Sequence, residues 1–194
     1  DCHFSRGWSG IVGANGAGKT TVIQLALGAL KPTKGTVDRG GDAVYCPQRT
    51  DEAPPLLAPL LESQDGEAYQ IKGRLGVEDD WLARWDTLSH GERKRAQIAA
   101  ALWQRPKVLA VDEPTNHLDA PARRMLENAL SAYGGVGLLV SHDRDLLDRL
   151  CRQCLFIEPP QVVARPGGFT QGTAEQGNEE EAARREYAEA RRQR

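Results

Sequence analysis

A chain of 194 residues with 40% hydrophobic and 27% charged residues holds enough material for one packed domain and is marginal for two. A formal net charge of −2 argues against a strongly basic surface of the kind that wraps nucleic acid, though not against a local patch. No apolar run approaches the roughly 20 residues that cross a bilayer and no signal peptide is visible, so no direct membrane insertion is expected.

The opening residues, DCHFSRGW, lack Met and run almost at once into strand-like sequence, as expected of an excised or processed piece. A short strand around Ile11-Val12 leads into GANGAGKT at residues 13–20. Thr20 to Leu30 then places Val22, Leu25, Ala26, Ala29 and Leu30 at helical spacing before Pro32. Ala43-Val44-Tyr45 reads as the next strand, ending in Cys46-Pro47-Gln48. Residues 49–87 break the rhythm with prolines, acids and short helical pieces, and are expected to form a small helical subdomain. Trp81 and Trp85, one turn apart, belong to its core.

The alternation then resumes. Gly91 to Trp103 is a helix carrying Ala96, Ala99, Ala100 and Trp103, with Pro106 beyond. Val108 to Val111 has no polar alternation, as expected of a strand covered on both faces. Pro121 to Ala132 is a helix stopped by Gly134-Gly135, and strands follow at Val136 to Val140 and Leu155 to Ile157. Strands alternating with helices predict an α/β domain with a largely parallel sheet. After Glu158 the texture changes: Pro159-Pro160 and GGFTQGTAEQGN read as an extended connector, and EEEAARREYAEARRQR mixes both charge signs at helical spacing. The expected division is a domain over 1–158 with its helical part at about 49–88, a connector over 159–178, and the start of a charged helical linker over 179–194.

Four cysteines are present. Cys151 and Cys154 have CxxC spacing, but the second ligand pair that zinc would want is missing, and two small apolar residues at a helix-to-strand junction account for them. A reducing, cytoplasmic compartment fits this usage.

GANGAGKT fits the phosphate-loop pattern in full. Gly13, Gly16 and Gly18, with Asn15 and Ala17 between them, let backbone N–H groups close around phosphates. Lys19 reaches the β/γ-phosphates, and Thr20, followed by Thr21, offers its hydroxyl to Mg²⁺. Val108 to Val111 delivers Asp112 and Glu113 together at a strand end, where α/β ligands sit. Asp112 suits a Mg²⁺ site through water, and Glu113 suits the base that takes a proton from an attacking water. His142 ends another apolar strand, where it would face the γ-phosphate, and Gln48 ends a third, suited to sensing Mg²⁺ or water. In LSHGE, Ser89 and Glu92 form a capping box, which by itself means a well-started helix; the same geometry also presents N–H groups and a positive dipole end to an anion.

Taken together, GANGAGKT, the Gln48 loop, LSHGE, VLAVDEP and His142 occur in the order and spacing of an ATP-binding cassette (ABC) domain, and the resemblance covers roughly residues 8–158. It implies a P-loop NTPase fold with a helical subdomain, ATP and Mg²⁺ as ligands, and ATP hydrolysis. It also implies that Ser89, His90, Gly91 and Glu92 hold the γ-phosphate of ATP bound to a second, head-to-tail cassette. That cassette would lie in the same full-length chain or in a second copy of this one. The Glu113-Pro114-Thr115-Asn116-His117-Leu118-Asp119 segment, then Ser141-His142-Asp143-Arg144, resembles the ABC-F group of twin-cassette ATPases, many of which act on ribosomes; the ribosome is the partner this implies. The alternative is the motor subunit of a membrane transporter, and a third reading is an ATP-gated clamp. His90 departs from the glycine usual at that motif position, and an adenine-stacking aromatic is expected upstream of the P-loop. An isolated cassette is expected to hydrolyse ATP slowly.

Overall fold

The computed structural model describes residues 2–38, 40–178 and 181. Its elements run β1 (Gly7–Gly13), α1 (Lys19–Leu27), β2 (Ala43–Cys46), α2 (Leu57–Glu62), α3 (Gly66–Leu75), α4 (His90–Trp103), β3 (Val108–Asp112), α5 (Ala120–Ser131), β4 (Val136–Val140), α6 (Arg144–Leu150), β5 (Cys151–Glu158) and β6 (Gln161–Pro166). The strands form one sheet in the order β2-β3-β4-β1-β5-β6. All pairings are parallel except β5 with β6. This is the expected α/β fold with a mostly parallel sheet. Leu109, Ala110 and Val111 of β3 are fully buried, as their unbroken apolar run requires.

Helix boundaries follow local chemistry. The first helix ends at Leu27, three residues before the sequence pattern suggested, because Gly28 adopts a left-handed conformation (φ 69°) and its N–H closes onto Leu25 O. Helix α4 starts at His90 behind a complete capping box: Ser89 Oγ accepts from the Glu92 amide, and the Glu92 carboxylate accepts from the Ser89 amide. Asp119 caps α5 and Asp143 caps α6, each accepting an amide three residues on. The short helix α6 had no clear signature, since seven residues make only two turns.

Residues 49–88 contain α2, α3 and a 3₁₀ turn over Trp85–Thr87, packed against α4 and α5. Trp81 and Trp85 are both buried there. Arg95 lies over the Trp81 ring at 5.0 Å, and Trp85 Nε1 donates to Asp51 O at 3.2 Å. Cys151 sits where α6 passes into β5 and Cys154 lies within that strand; both are buried free thiols.

Residues 159–178 are structured. Strand β6 pairs antiparallel with β5 from Glu158↔Gln161 to Gln153↔Pro166, and residues 169–178 are helical. Asp148 of α6 fastens this helix, accepting from the Thr170 amide at 2.8 Å and from its hydroxyl at 2.5 Å. The short VVAR stretch supplies the strand pairing, which its flanking prolines and glycines obscure in sequence. The charged segment expected over 179–194 lies outside the described residues, apart from Glu181.

Trp8 shows how tightly the central strands close. Its ring is buried, Nε1 donates to Leu130 O at 2.8 Å, and a Cβ added at Gly137 on the neighbouring strand would lie 2.4 Å from Trp8 Cε3. The indole is buried and fastened through Nε1, so it has little room to yield. Gly137→Ala should therefore destabilise the fold by about 1–3 kcal/mol, the usual cost of overpacking. Urea denaturation of the two proteins measures this, and an unchanged midpoint would contradict it.

Candidate functional site

The sheet order decides which loops meet. Strands β2, β3, β4 and β1 are consecutive neighbours and all parallel, so their C-terminal ends lie along one edge. That edge carries Gln48 beyond β2, Asp112 and Glu113 at the end of β3, His142 beyond β4, and the 13–20 loop beyond β1. Every site residue read from a strand end is thus brought to the same crevice, the usual ligand position in open α/β sheets.

The phosphate loop is shaped by glycine in two different ways. Gly16 (φ 81°) and Gly18 (φ 101°) occupy left-handed backbone conformations, while a Cβ at either would meet nothing within 4 Å; conformation is what requires glycine there. Gly13 is instead crowded, with an added Cβ 2.8 Å from Ile157 O on β5. Gly18 caps α1 without any side-chain bond to the helix amides, so the N-terminal N–H groups and the dipole are available to an anion. Lys19 Nζ arches back over the loop, donating to Gly13 O at 2.9 Å and Ala14 O at 3.0 Å. Asn15, Thr20 and Thr21 are exposed, with Ala17 half-buried beside them.

Glu113 is the most constrained acid of the site. Its backbone is left-handed (φ 44°), its amide donates to Val140 O at 2.8 Å, and its carboxylate is buried. Strain of this kind in a non-glycine residue persists only where the surroundings enforce it. The His142 amide donates to Glu113 Oε2 at 3.3 Å, and His142 Nε2 lies 3.6 Å from Oε1. Burial pushes the Glu113 carboxyl above the ordinary carboxylate range, against the opposing pull of His142 and, more weakly, Lys19. That is the direction that makes a carboxylate a better proton acceptor.

Asp112 is tied to the next strand by Tyr45, whose hydroxyl donates to Oδ2 at 3.0 Å. Burial, then the Asp112 charge, raise the Tyr45 phenol. Gln48 is exposed in the loop after Cys46-Pro47.

The LSHGE residues form a separate group. Ser89 and Glu92 bond to each other, and the Ser89 hydroxyl holds the Glu92 carboxyl below its ordinary range. Gly91 is buried where an added Cβ would lie 2.8 Å from Leu118 Cδ2, so the helix start presses on the 117–118 loop. The His90 ring meets His117 edge-on at 5.1 Å. Burial first, and His117 next, push the His90 imidazole down.

The 13–116 motif order has a counterpart in known proteins. The family model for ABC transporters matches residues 4–116 of this chain. The chain belongs to the ABC transporter family. ATP-binding protein Uup of Caulobacter vibrioides is 36% identical over 167 residues, covering 83% of this chain and 27% of that protein. ABC transporter F family member 5 of Arabidopsis thaliana is 36% identical over 160 residues, covering 76% of this chain and 23% of that protein. The chain therefore spans about a quarter of the length of these relatives. Among ABC domains it is similar to those of the F group, in line with the motif resemblance. A solved ATP-binding subunit of an ABC transporter superposes with a TM-score of 0.68 at 21% identity, covering 84% of this chain and 80% of that one, a likeness of fold. Among the described residues no helix of this ABC domain is long and apolar enough to cross a membrane.

Three residues of the site escaped the motif reading: Tyr45, Lys94 and Gln97. Tyr45 was visible only as a strand residue. Lys94 carried a detectable signal, since helical spacing puts it on the buried stripe with Gly91, Ile98 and Ala101, where a lysine needs partners.

The raised Glu113 carboxyl fixes a pH dependence of stability. The fold disfavours the ionised form, so the penalty is present where Glu113 is ionised in the folded protein and vanishes once pH falls below the unfolded value of 4.5. Glu113→Gln should raise the thermal midpoint at pH 7, with the gain shrinking toward zero on acidification. A gain that grows as pH falls would contradict the assignment.

Proposed function

We propose that this domain binds and hydrolyses ATP as one cassette of a head-to-tail pair in an ABC-F-type ATPase. The observation that carries the reading is the convergence of the P-loop, Asp112-Glu113, His142 and the Gln48 loop on one sheet edge.

In this reading the 13–20 loop cradles the phosphates through its backbone N–H groups, and Lys19 swings from its two carbonyl partners to the β/γ-phosphates. Thr20, Gln48 and Asp112 present only oxygen donors of the hard kind that Mg²⁺ accepts, and they are the residues that would hold it. Bound there, the ion would neutralise charge on the phosphate oxygens. Glu113 takes the proton of the attacking water, aided by its raised proton affinity. His142, hydrogen-bonded to Glu113 through its backbone and exposed at its ring, faces the terminal phosphate.

Ser89, His90, Gly91 and Glu92 are assigned to the ATP of the partner cassette. Ser89 is exposed at a helix start, and the bonds it makes are local to the cap. Such a site completes another body's phosphate shell. The partner is a second cassette in a longer chain or another copy of this one, and the relatives' greater length favours the former. The ribosome is the larger partner that the F-group likeness suggests, and the cytoplasm the compartment. The transporter-motor alternative is less favoured, because the chain's curated relatives include an F-family protein and its 21%-identical transporter neighbours share only the fold.

Lys19→Ala should weaken ATP binding by about tenfold or more, as loss of a charged hydrogen bond worth roughly 1.5–3 kcal/mol implies. Glu113→Gln should bind ATP normally yet turn over about 100-fold more slowly. Titration with a fluorescent ATP analogue and a phosphate-release assay measure the two. Equal affinity in the first variant, or equal turnover in the second, would overturn the assigned role. Specific activity of the isolated chain should rise with its concentration; full turnover from a strict monomer would sink the pairing.

A further inference from the structure

The side chain of Lys94 is completely buried, an unusual place for an ammonium group. Its three N–H bonds find three oxygens: Pro47 O at 2.6 Å, Asp112 O at 3.0 Å and Gln97 Oε1 at 3.1 Å. The two backbone acceptors belong to different strands' ends. Pro47 immediately precedes Gln48, and Asp112 immediately precedes Glu113. Gln97, one turn further along α4, completes the arrangement: its Nε2 donates to Arg49 O at 3.1 Å, and its own backbone carbonyl receives the Cys46 thiol at 4.0 Å. Gln48 is therefore bracketed. The carbonyl before it is held by Lys94 and the carbonyl after it by Gln97, both from the helix whose first turn is the LSHGE motif.

We propose that Lys94 and Gln97 are positioning residues that clamp the Gln48 loop from both sides and couple movement of the signature helix to the Mg²⁺-facing glutamine. The proposal rests on the role given to Gln48 above. Its physical basis is that a buried donor pair cannot release these carbonyls cheaply. Separating α4 from the loop leaves the Pro47 and Arg49 carbonyls and one N–H each of Lys94 and Gln97 unpaired in a dry interior. The loop and helix therefore move together. Burial, partly offset by Cys46, Asp112 and Glu113, lowers the Lys94 amine to about 8, which agrees with a dry site whose partners are carbonyl oxygens. The same amine holds the Asp112 carbonyl, so one group ties the signature helix to the metal-facing acid and to the glutamine alike.

Lys94→Met and Gln97→Leu keep side-chain size while removing the donors, and each is compared with Gln48→Ala and with the corresponding double variants. Both single variants should lower kcat about tenfold, the effect typical of losing a residue that orients a metal-facing group, and raise the Mg²⁺ concentration for half-maximal activity. Their affinity for ATP in EDTA should stay within about twofold, the tenfold of 1.4 kcal/mol being the scale on which a lost phosphate contact would show. Hydrogen exchange at residues 47–50 should quicken in both. In the Gln48→Ala background Gln97→Leu should add no further loss of kcat, because its effect passes through Gln48, while Lys94→Met should add only the part that passes through the Asp112 carbonyl. Should Lys94→Met not fold, Gln97→Leu decides by the same measurements. Unchanged exchange at 47–50, or losses that multiply fully with Gln48→Ala, would overturn the clamp. Wild-type turnover in Gln48→Ala would overturn both the role of Gln48 and the coupling, whereas absent ATP binding by the wild type would refute the ATPase reading and leave exchange to decide the clamp itself.

Discussion

The in-register parallel pairing of β2, β3, β4 and β1 is the constraint on which the rest of this domain depends. Cys46 lies opposite Val111, Asp112 opposite Val140, and Ile11 opposite Val140 on its other edge. With the strands level at their C-terminal ends, residues one to three positions beyond each strand must share a crevice. Parallel pairing also demands helices on both faces, which buries the middle of β1, β3 and β4 and leaves the strand ends as the place where polar groups emerge. Asp112, Glu113 and Gln48 are such groups, as is His142 just after Ser141. The helix after β1 then points its amino end, and its unsatisfied N–H groups, at the same place.

Helix α4 is the second organising element. It runs from an exposed, capped start at Ser89 through a buried middle, and it touches α2 and α3 on one side and β2 on the other. Apolar packing alone would let such a helix slide; the Lys94 and Gln97 bonds specify one position along its axis relative to both strand ends. Buried polar groups often serve register more than stability. Here the register concerns the distance between the exposed LSHGE turn and the loop bearing Gln48. A second polar network does similar work on the opposite flank, where Arg123 and Arg149 both reach Glu127, and Arg123 also meets Asp143. That network joins α5 to α6, the helix that follows His142 and holds Thr170 through Asp148.

Charge in the crevice is arranged to be unequal. Glu113 is buried and strained, with its proton affinity raised, while Asp112 is bonded to a phenol that stays protonated because its own ionisation is opposed. Two adjacent carboxylates thus acquire different environments from one strand end. This separation suits one acid to accept a proton and its neighbour to hold a cation. Lys19, at the start of α1, and His142, just beyond β4, pull the Glu113 carboxyl the other way.

The sequence by itself determined the alternation of elements, the parallel class of the sheet, the P-loop and the capping box at Ser89. These depend on local backbone chemistry and on periodicity: Gly16 and Gly18 need φ above zero, Ser89 and Glu92 satisfy amides three residues apart, and an unbroken apolar run needs two covered faces. Family resemblance added the grouping of Gln48, Glu113 and His142. Tertiary structure alone decided the rest. Strand order, which sets the end of β2 beside the end of β3, depends on pairing between distant segments, as in the Tyr45–Asp112 bond at a separation of 67. The folding of 161–166 onto the sheet edge was hidden, because an edge strand between prolines and glycines has little periodicity to show. The partners of Lys94 were hidden for a plainer reason. A lysine in a helix reads as a solvated charge until packing removes the water and leaves only carbonyls to receive its protons.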